Sequence, residues 1–371
     1  MKKEILDFPL EKRIAVLMDF DLTLTEEYQQ ITLFKNHFEK IKENYGGKIV
    51  NGKKISIKSP IDYFKISDAW GTKHDGLGYI EQMLFDMNHG VLPSLSNRDL
   101  RELGSNIPLS EGVPEFINDL RDEFETECYI DFYIISVGLA EMIKGTGIDQ
   151  FFNGIFATEL TSLKTIHNYF TEKEINNQLD KYNLSEDDKY DLLDIMPVDS
   201  IKNLVQPFSK TAGVIDIAKG GPFKRDNLLR TEDFFINYNN MIFIGDGTSD
   251  ISSFAYLKKK GATTIGVYKD KDMSAFEKAS GNSKVVTRLD ILGPRNYNKD
   301  YVLFKKGLVP TISKMIGRKC DFPPQIMDMH KKNRIKATSK DSKKLIKLVE
   351  NHGRNCKECD MSYNVKLILP E

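Results

Sequence analysis

Asp19 and Asp21 stand two residues apart, with Thr23 two further on, directly after the apolar run Ile14-Ala15-Val16-Leu17-Met18. Two carboxylates this close repel each other unless a cation compensates them. A carboxylate beside such a cation can act as a nucleophile toward the phosphorus of a phosphate ester. Asp-x-Asp-x-Thr alone is equally an ordinary turn after a strand. Residues further along the chain decide between the two.

Phe132-Tyr133-Ile134-Ile135-Ser136-Val137-Gly138 is a second apolar run, with Ser136 at its tip and Gly138 opening the next turn. A hydroxyl there could donate to a phosphate oxygen; it could also cap a helix. Ser209-Lys210-Thr211 begins an amphipathic segment that runs to Lys219. Lys210 thus falls near a helix N-terminus, where a cation opposes the macrodipole and calls for an anion to offset it. Met241-Ile242-Phe243-Ile244 ends on Gly245-Asp246-Gly247-Thr248-Ser249-Asp250. The two glycines permit a tight turn and close approach of a ligand. Gly-Asp-Gly could also be a plain hairpin or βα loop, although 249–258 reads as helix.

The elements needed to hold these residues are strands buried on both faces, which read as unbroken apolar runs, in a parallel sheet that binds ligands beyond its carboxyl ends. Asp19 and Asp21, two apart on an extended chain, are expected to point the same way there.

Taken in order, the four motifs resemble those of the haloacid dehalogenase superfamily of phosphohydrolases, in its phosphoserine-phosphatase-like branch. Asp19-x-Asp21-x-Thr23, the strand ending at Ser136, Lys210 and Gly245-Asp246-Gly247-x-x-Asp250 match the four in turn. Leu109-Ser110-Glu111-Gly112-Val113-Pro114-Glu115-Phe116 resembles the return to the core from a cap. The likeness spans roughly 12–25 and 108–290. It implies Asp19 as nucleophile, forming an aspartyl phosphate, and Asp21 as general acid and then base. It implies Mg2+ held by Asp19, the Asp21 carbonyl and Asp246, hard oxygen donors that suit this ion. Ser136, Gly138 and Lys210 would bind the phosphoryl oxygens, with Thr23 and Asp250 supporting the site; Asp250 would orient Lys210 or a metal-bound water. The implied fold is α/β: a Rossmann-like three-layer sandwich with a parallel sheet, and a mainly helical cap inserted after the first motif.

The 371 residues divide on this reading into a core of 1–25 and 108–290, a cap of 26–107, and a C-terminal extension of 291–371. Tyr79, Ile80, Met83, Leu84 and Met87 carry helical periodicity in the cap, and Gly46-Gly47 with the lysine-rich 48–58 predicts a loop or hairpin. A polar segment, 160–206, interrupts the core, with helices and a loop expected. Ala262–Val267 reads as a further strand and 272–280 as an amphipathic helix.

Lys+Arg 53 against Asp+Glu 54 leaves a net charge of −1, which favours neither a polyanion nor a membrane surface. No signal peptide or transmembrane run is visible, and four cysteines suit a reducing cytoplasm. The expected partner is a small phosphorylated substrate, with neither membrane nor nucleic acid. The basic stretch Lys331–Lys347 lacks interleaved aromatics and reads as a solvated face. Cys356 and Cys359 with His352, and Cys320 and His330 upstream, could hold zinc; a single Cys-x-x-Cys leaves free thiols as the default. Two other functions fit the same motifs: a phosphotransferase or phosphomutase with the same intermediate, or an interaction protein acting through its basic tail. The substrate is set by cap side chains and is not legible.

Overall fold

A computed structural model describes residues 12–50, 53–73, 78–185, 187–222, 224–317 and the pair Lys366–Leu367. The basic stretch 331–347 and the candidate zinc ligands Cys320, His330, His352, Cys356 and Cys359 lie outside the described residues.

Ten strands are described: β1 Arg13–Met18, β2 Ile49–Val50, β3 Lys53–Lys54, β4 Tyr129–Leu139, β5 Gly154–Thr161, β6 Ser200–Asn203, β7 Met241–Gly245, β8 Thr263–Lys269, β9 Ile291–Arg295 and β10 Lys366–Leu367. Eight of them form one sheet in the order β10-β9-β8-β7-β1-β4-β5-β6. Its pairings are parallel except between β5 and β6. β1 is central, with Val16 opposite Phe132 of β4 on one side and Ile242 of β7 on the other. Ile14 through Met18 are fully buried, as an unbroken apolar run between two helical layers requires. The fold is the expected Rossmann-like α/β sandwich. The helix Glu115–Glu123 packs on one face with Phe116, Ile117 and Leu120, and the helices Lys210–Ala218 and Ile251–Lys259 cover the other with Val214, Ile217, Phe254 and Leu257.

After β1 the chain leaves the sheet at Thr25 and returns at Leu109, and the two crossing strands touch. Thr25 and Leu109 form an isolated antiparallel bridge, with Glu26 N–H on the Pro108 carbonyl and Ser110 N–H on that of Leu24. Between them lie the helices Gln29–Lys35, Phe38–Tyr45, Pro60–Lys73, Tyr79–Asn88 and Asn97–Gly104, together with the β2–β3 hairpin. An aromatic cluster of Phe34, Tyr45, Tyr63 and Trp70 joins the first three of these helices. At its centre the buried Asp86 carboxylate accepts from the hydroxyls of Tyr45 and Tyr63 and from Gln82 Nε2. Burial pushes its pKa up to about 6.

The 160–206 segment supplies three short helices and β6. It has its own small apolar core around Leu179, Ile195 and Met196. Asp194 pairs with Arg98 and Arg101, and Lys181 with Asp99, fixing it to the Asn97–Gly104 helix.

Three local readings differ from the sequence. β4 does not stop at Ser136 but continues through Leu139, whose partner is Thr158 after a register shift, so Ser136 lies inside the strand. The chain is not extended from Asp19 to Asp21: it turns at Phe20, whose carbonyl accepts from the N–H groups of Thr23 and Leu24. And the sheet does not end before residue 291. β9 pairs with β8 in parallel, and Leu303, Phe304, Leu308 and Ile312 beyond it join the same core.

Candidate active site

The carboxyl ends of β1, β4 and β7 converge. Asp19 N–H donates to the Ile244 carbonyl at 2.9 Å, locking the tip of β1 to that of β7. Asp19 Oδ1 accepts from the Phe20 N–H at 2.8 Å, so the turn that begins there also orients the carboxylate. Lys210, the first residue of its helix, extends Nζ to 2.7 Å from Asp19 Oδ1 and 2.7 Å from Asp250 Oδ1. Its side chain and that of Asp250 are fully buried. The anion that a cation at this end of a helix requires is therefore supplied twice over. Burial opposes the lysine's charge, but Asp19 and Asp250 outweigh it and hold the ammonium protonated.

Asp246 joins these two acids from the loop after β7. Oxygens of Asp19, Asp246 and Asp250 all lie within 4.8 Å of one another. Burial, then repulsion by Asp250 and Asp19, raises the Asp246 pKa well above the ordinary carboxylate range. Burial and Asp19 likewise push Asp250 up to about 7. Three clustered carboxylates against one ammonium are under-compensated, and their donor set is hard oxygen. The residues present thus fit a divalent cation of the magnesium type. Gly245 is required here, because a Cβ would lie 2.3 Å from Asp250 Oδ2.

Asp21 is placed differently from its neighbours. Its two oxygens are bound by Gln29, Oδ1 by the backbone N–H at 2.8 Å and Oδ2 by Nε2 at 3.2 Å. Burial, more than the nearby Asp19, pushes its pKa up to about 7. Such a group can hold or release a proton near neutral pH. Ser136 is buried, and its Oγ accepts the Gly138 N–H at 3.0 Å. Thr23 is buried too, and its hydroxyl has no hydrogen-bond partner among the described residues. Asp19, Asp246, Asp250 and Lys210 are thus brought into one cluster, with Asp21 beside it. Ser136 and Thr23 make no direct contact with those acids among the described interactions.

Several residues escaped the sequence reading. Ser249 Oγ lies 3.4 Å from both Lys210 Nζ and Asp19 Oδ2; it sits inside a motif already singled out. Tyr28 feels the same acids: burial, then the charges of Asp246, Asp21 and Asp19, push its hydroxyl pKa up to about 12. Behind the site, Arg295 at the end of β9 donates to the Leu22 carbonyl at 2.7 Å and pairs with Glu26 at 3.0 Å. The Tyr297 hydroxyl donates to the Thr23 carbonyl at 3.0 Å. Leu22 has φ +56°, a strained value for a side-chain-bearing residue, so the turn carrying Asp21 needs this support. The signal that marked Asp19, a charge closing an unbroken apolar run, is missing before Arg295 because Gly293-Pro294 interrupts the run. We expect Arg295→Met to destabilise the fold by about 2–3 kcal/mol, mostly through the orphaned Leu22 carbonyl, because Glu26 is partly exposed. Urea unfolding would read this, and an unchanged midpoint would remove the support role.

No family model matches the chain. An uncharacterized protein of Borreliella burgdorferi (strain ATCC 35210) is 25% identical over 272 residues, covering 71% of this chain and 86% of that protein. Among solved structures, a phosphoserine phosphatase in apo form is 15% identical with a TM-score of 0.43, covering 79% of this chain and 98% of that one. A HAD family hydrolase from Salmonella enterica serovar Typhi is 14% identical with a TM-score of 0.40, covering 78% and 70%.

Proposed function

We propose that this chain is a haloacid-dehalogenase-type phosphohydrolase that hydrolyses a phosphomonoester through an aspartyl phosphate on Asp19. One observation carries the reading. A fully buried lysine bridges Asp19 and Asp250 at 2.7 Å each, in an acidic pit at the carboxyl ends of adjacent parallel strands. A structural role alone gives no reason to bury so many like charges together.

Asp19 Oδ1 is held by Phe20 N–H and Lys210, which leaves Oδ2, in long contact with Ser249, as the attacking oxygen. Its lone pair forms the bond to phosphorus as the bond to the leaving oxygen breaks. Asp21, with its raised pKa, gives the leaving oxygen a proton and then takes one from the water that cleaves the acyl phosphate. Lys210 stabilises charge on the phosphoryl oxygens, and Ser136, whose Oγ accepts from the Gly138 N–H, keeps its own hydroxyl proton to donate to them. Asp19, Asp246 and the Asp21 carbonyl would hold Mg2+, with Asp250 supporting it, and the bound ion would neutralise phosphate charge as a Lewis acid. The leaving group is met by the 26–107 segment, including Tyr28.

The test is phosphate release from a panel of phosphomonoesters, with magnesium and with EDTA. Release is expected in magnesium only. The ion should also raise the melting temperature, since ligand at about 100 times its Kd contributes about 2.7 kcal/mol. No release from any ester, together with no magnesium effect on melting, would dispose of the reading. Small phosphorylated molecules are the expected substrates. No helix among the described residues is long and apolar enough to cross a membrane.

A further inference from the structure

We propose that Gln29 is the positioning residue that sets Asp21 in place for proton transfer, an inference that rests on the phosphohydrolase reading above. A single residue occupies both Asp21 oxygens: backbone N–H on Oδ1 at 2.8 Å, side-chain Nε2 on Oδ2 at 3.2 Å. The far end of the same amide is also fixed, for Gln29 Oε1 accepts the Leu139 N–H at 2.8 Å. A backbone N–H only donates, so this bond decides which end of the amide is oxygen and leaves the NH2 facing Asp21. Gln29 is fully buried, and water does not compete for these bonds.

Leu139 is the anchor. It ends β4 and is held in register against Thr158 of β5. Gln29 transmits that fixed position across to the turn after β1. Gly138 makes the passage possible, because a Cβ there would lie 1.8 Å from Gln29 Nε2 and 2.5 Å from its Cδ. A proton donor must be held to within about half an ångström of its productive place. Asp21 sits on a turn that includes the strained Leu22, and the clamp from Gln29 removes the rotational freedom of its carboxyl group. Each carboxyl oxygen has two lone-pair sites, so the two bonds to Gln29 still leave a site for the proton that moves.

Two variants separate positioning from packing. Gln29→Met keeps the length and the backbone N–H but loses the amide. Gln29→Glu keeps an acceptor for Leu139 N–H and loses the donor to Asp21. Each is assayed for kcat/KM on para-nitrophenyl phosphate, whose leaving group departs without a proton, and on the alkyl phosphomonoester that the wild type cleaves fastest, whose leaving group needs one. Both variants should lose about 100-fold on the alkyl ester and less than about 5-fold on the aryl ester. The ratio between esters is read on one preparation and does not depend on how much of it is folded. Equal losses on the two esters, or wild-type alkyl activity in Gln29→Glu, would reduce Gln29 to packing and leave the phosphohydrolase reading intact. A wild type that cleaves no ester of the panel and shows no magnesium effect on melting removes that reading, and the positioning role with it.

Discussion

Asp19→Asn should abolish turnover, lowering phosphate release at least about 10⁴-fold while the protein stays folded. The amide has nearly the volume of the carboxylate but cannot form an acyl phosphate. Its environment tolerates the change. The bond from Phe20 N–H to Oδ1 has an acceptor in either residue, and Lys210 keeps Asp250 as its partner at 2.7 Å. One negative charge fewer in a cluster with Asp246 and Asp250 also relieves repulsion, so the melting temperature without metal should hold or rise. Substantial phosphate release by a well-folded Asp19→Asn preparation would take the nucleophile away from this residue.

Lys210→Met should show the second large effect, and on stability as much as on rate. Lys210 is the ammonium among four acids, and its side chain is fully buried. Removing one member of a buried ion pair costs about 3–5 kcal/mol, because the remaining charge keeps its desolvation penalty and loses its partner. Here Asp19 and Asp250 lose the same partner together. In EDTA the variant should therefore melt well below the wild type, and magnesium should recover more stability in the variant than in the wild type, since a cation is then the compensating charge that remains. Phosphate release should stay low even where magnesium restores folding, because the phosphoryl oxygens have lost their ammonium. A variant that melts like the wild type in EDTA would mean that the pit is not electrostatically strained.

The acids at the ends of β1 and β7 were legible because strands buried on both faces leave continuous apolar runs, and a carboxylate closing such a run stands out. Lys210 was legible as a cation at the unfavourable end of a helix. The missed or misplaced features share a physical reason. Pairing of Leu139 with Thr158 extends β4 past Ser136, and that is a tertiary fact with no local mark. The turn at Phe20 replaced the extended geometry expected between Asp19 and Asp21, and it is tertiary bonds from Arg295 and Tyr297 that support it. β9 contains Gly293-Pro294, which reads as a loop, yet Pro294 sits opposite Tyr268 in the sheet. Gln29 is an ordinary helix residue by type, and only its burial against Asp21 and Leu139 gives it a role.

Arg295 reaches Leu22 across 273 residues of sequence, and Tyr297 reaches Thr23 across 274. A ribosome adding about 5–20 residues per second needs roughly 15–60 s to make the residues between them. For that interval the turn carrying Asp19 and Asp21 exists without the groups that brace it, and β1 too must wait for its second neighbour, β7. The first chemistry-bearing residues to be synthesised are thus among the last to reach their working positions. A nascent chain halted before residue 295 would carry Asp19, Asp21, Lys210 and Asp246 and still lack the brace behind the turn that follows β1, so the order in which the strands are made delays the completed cluster.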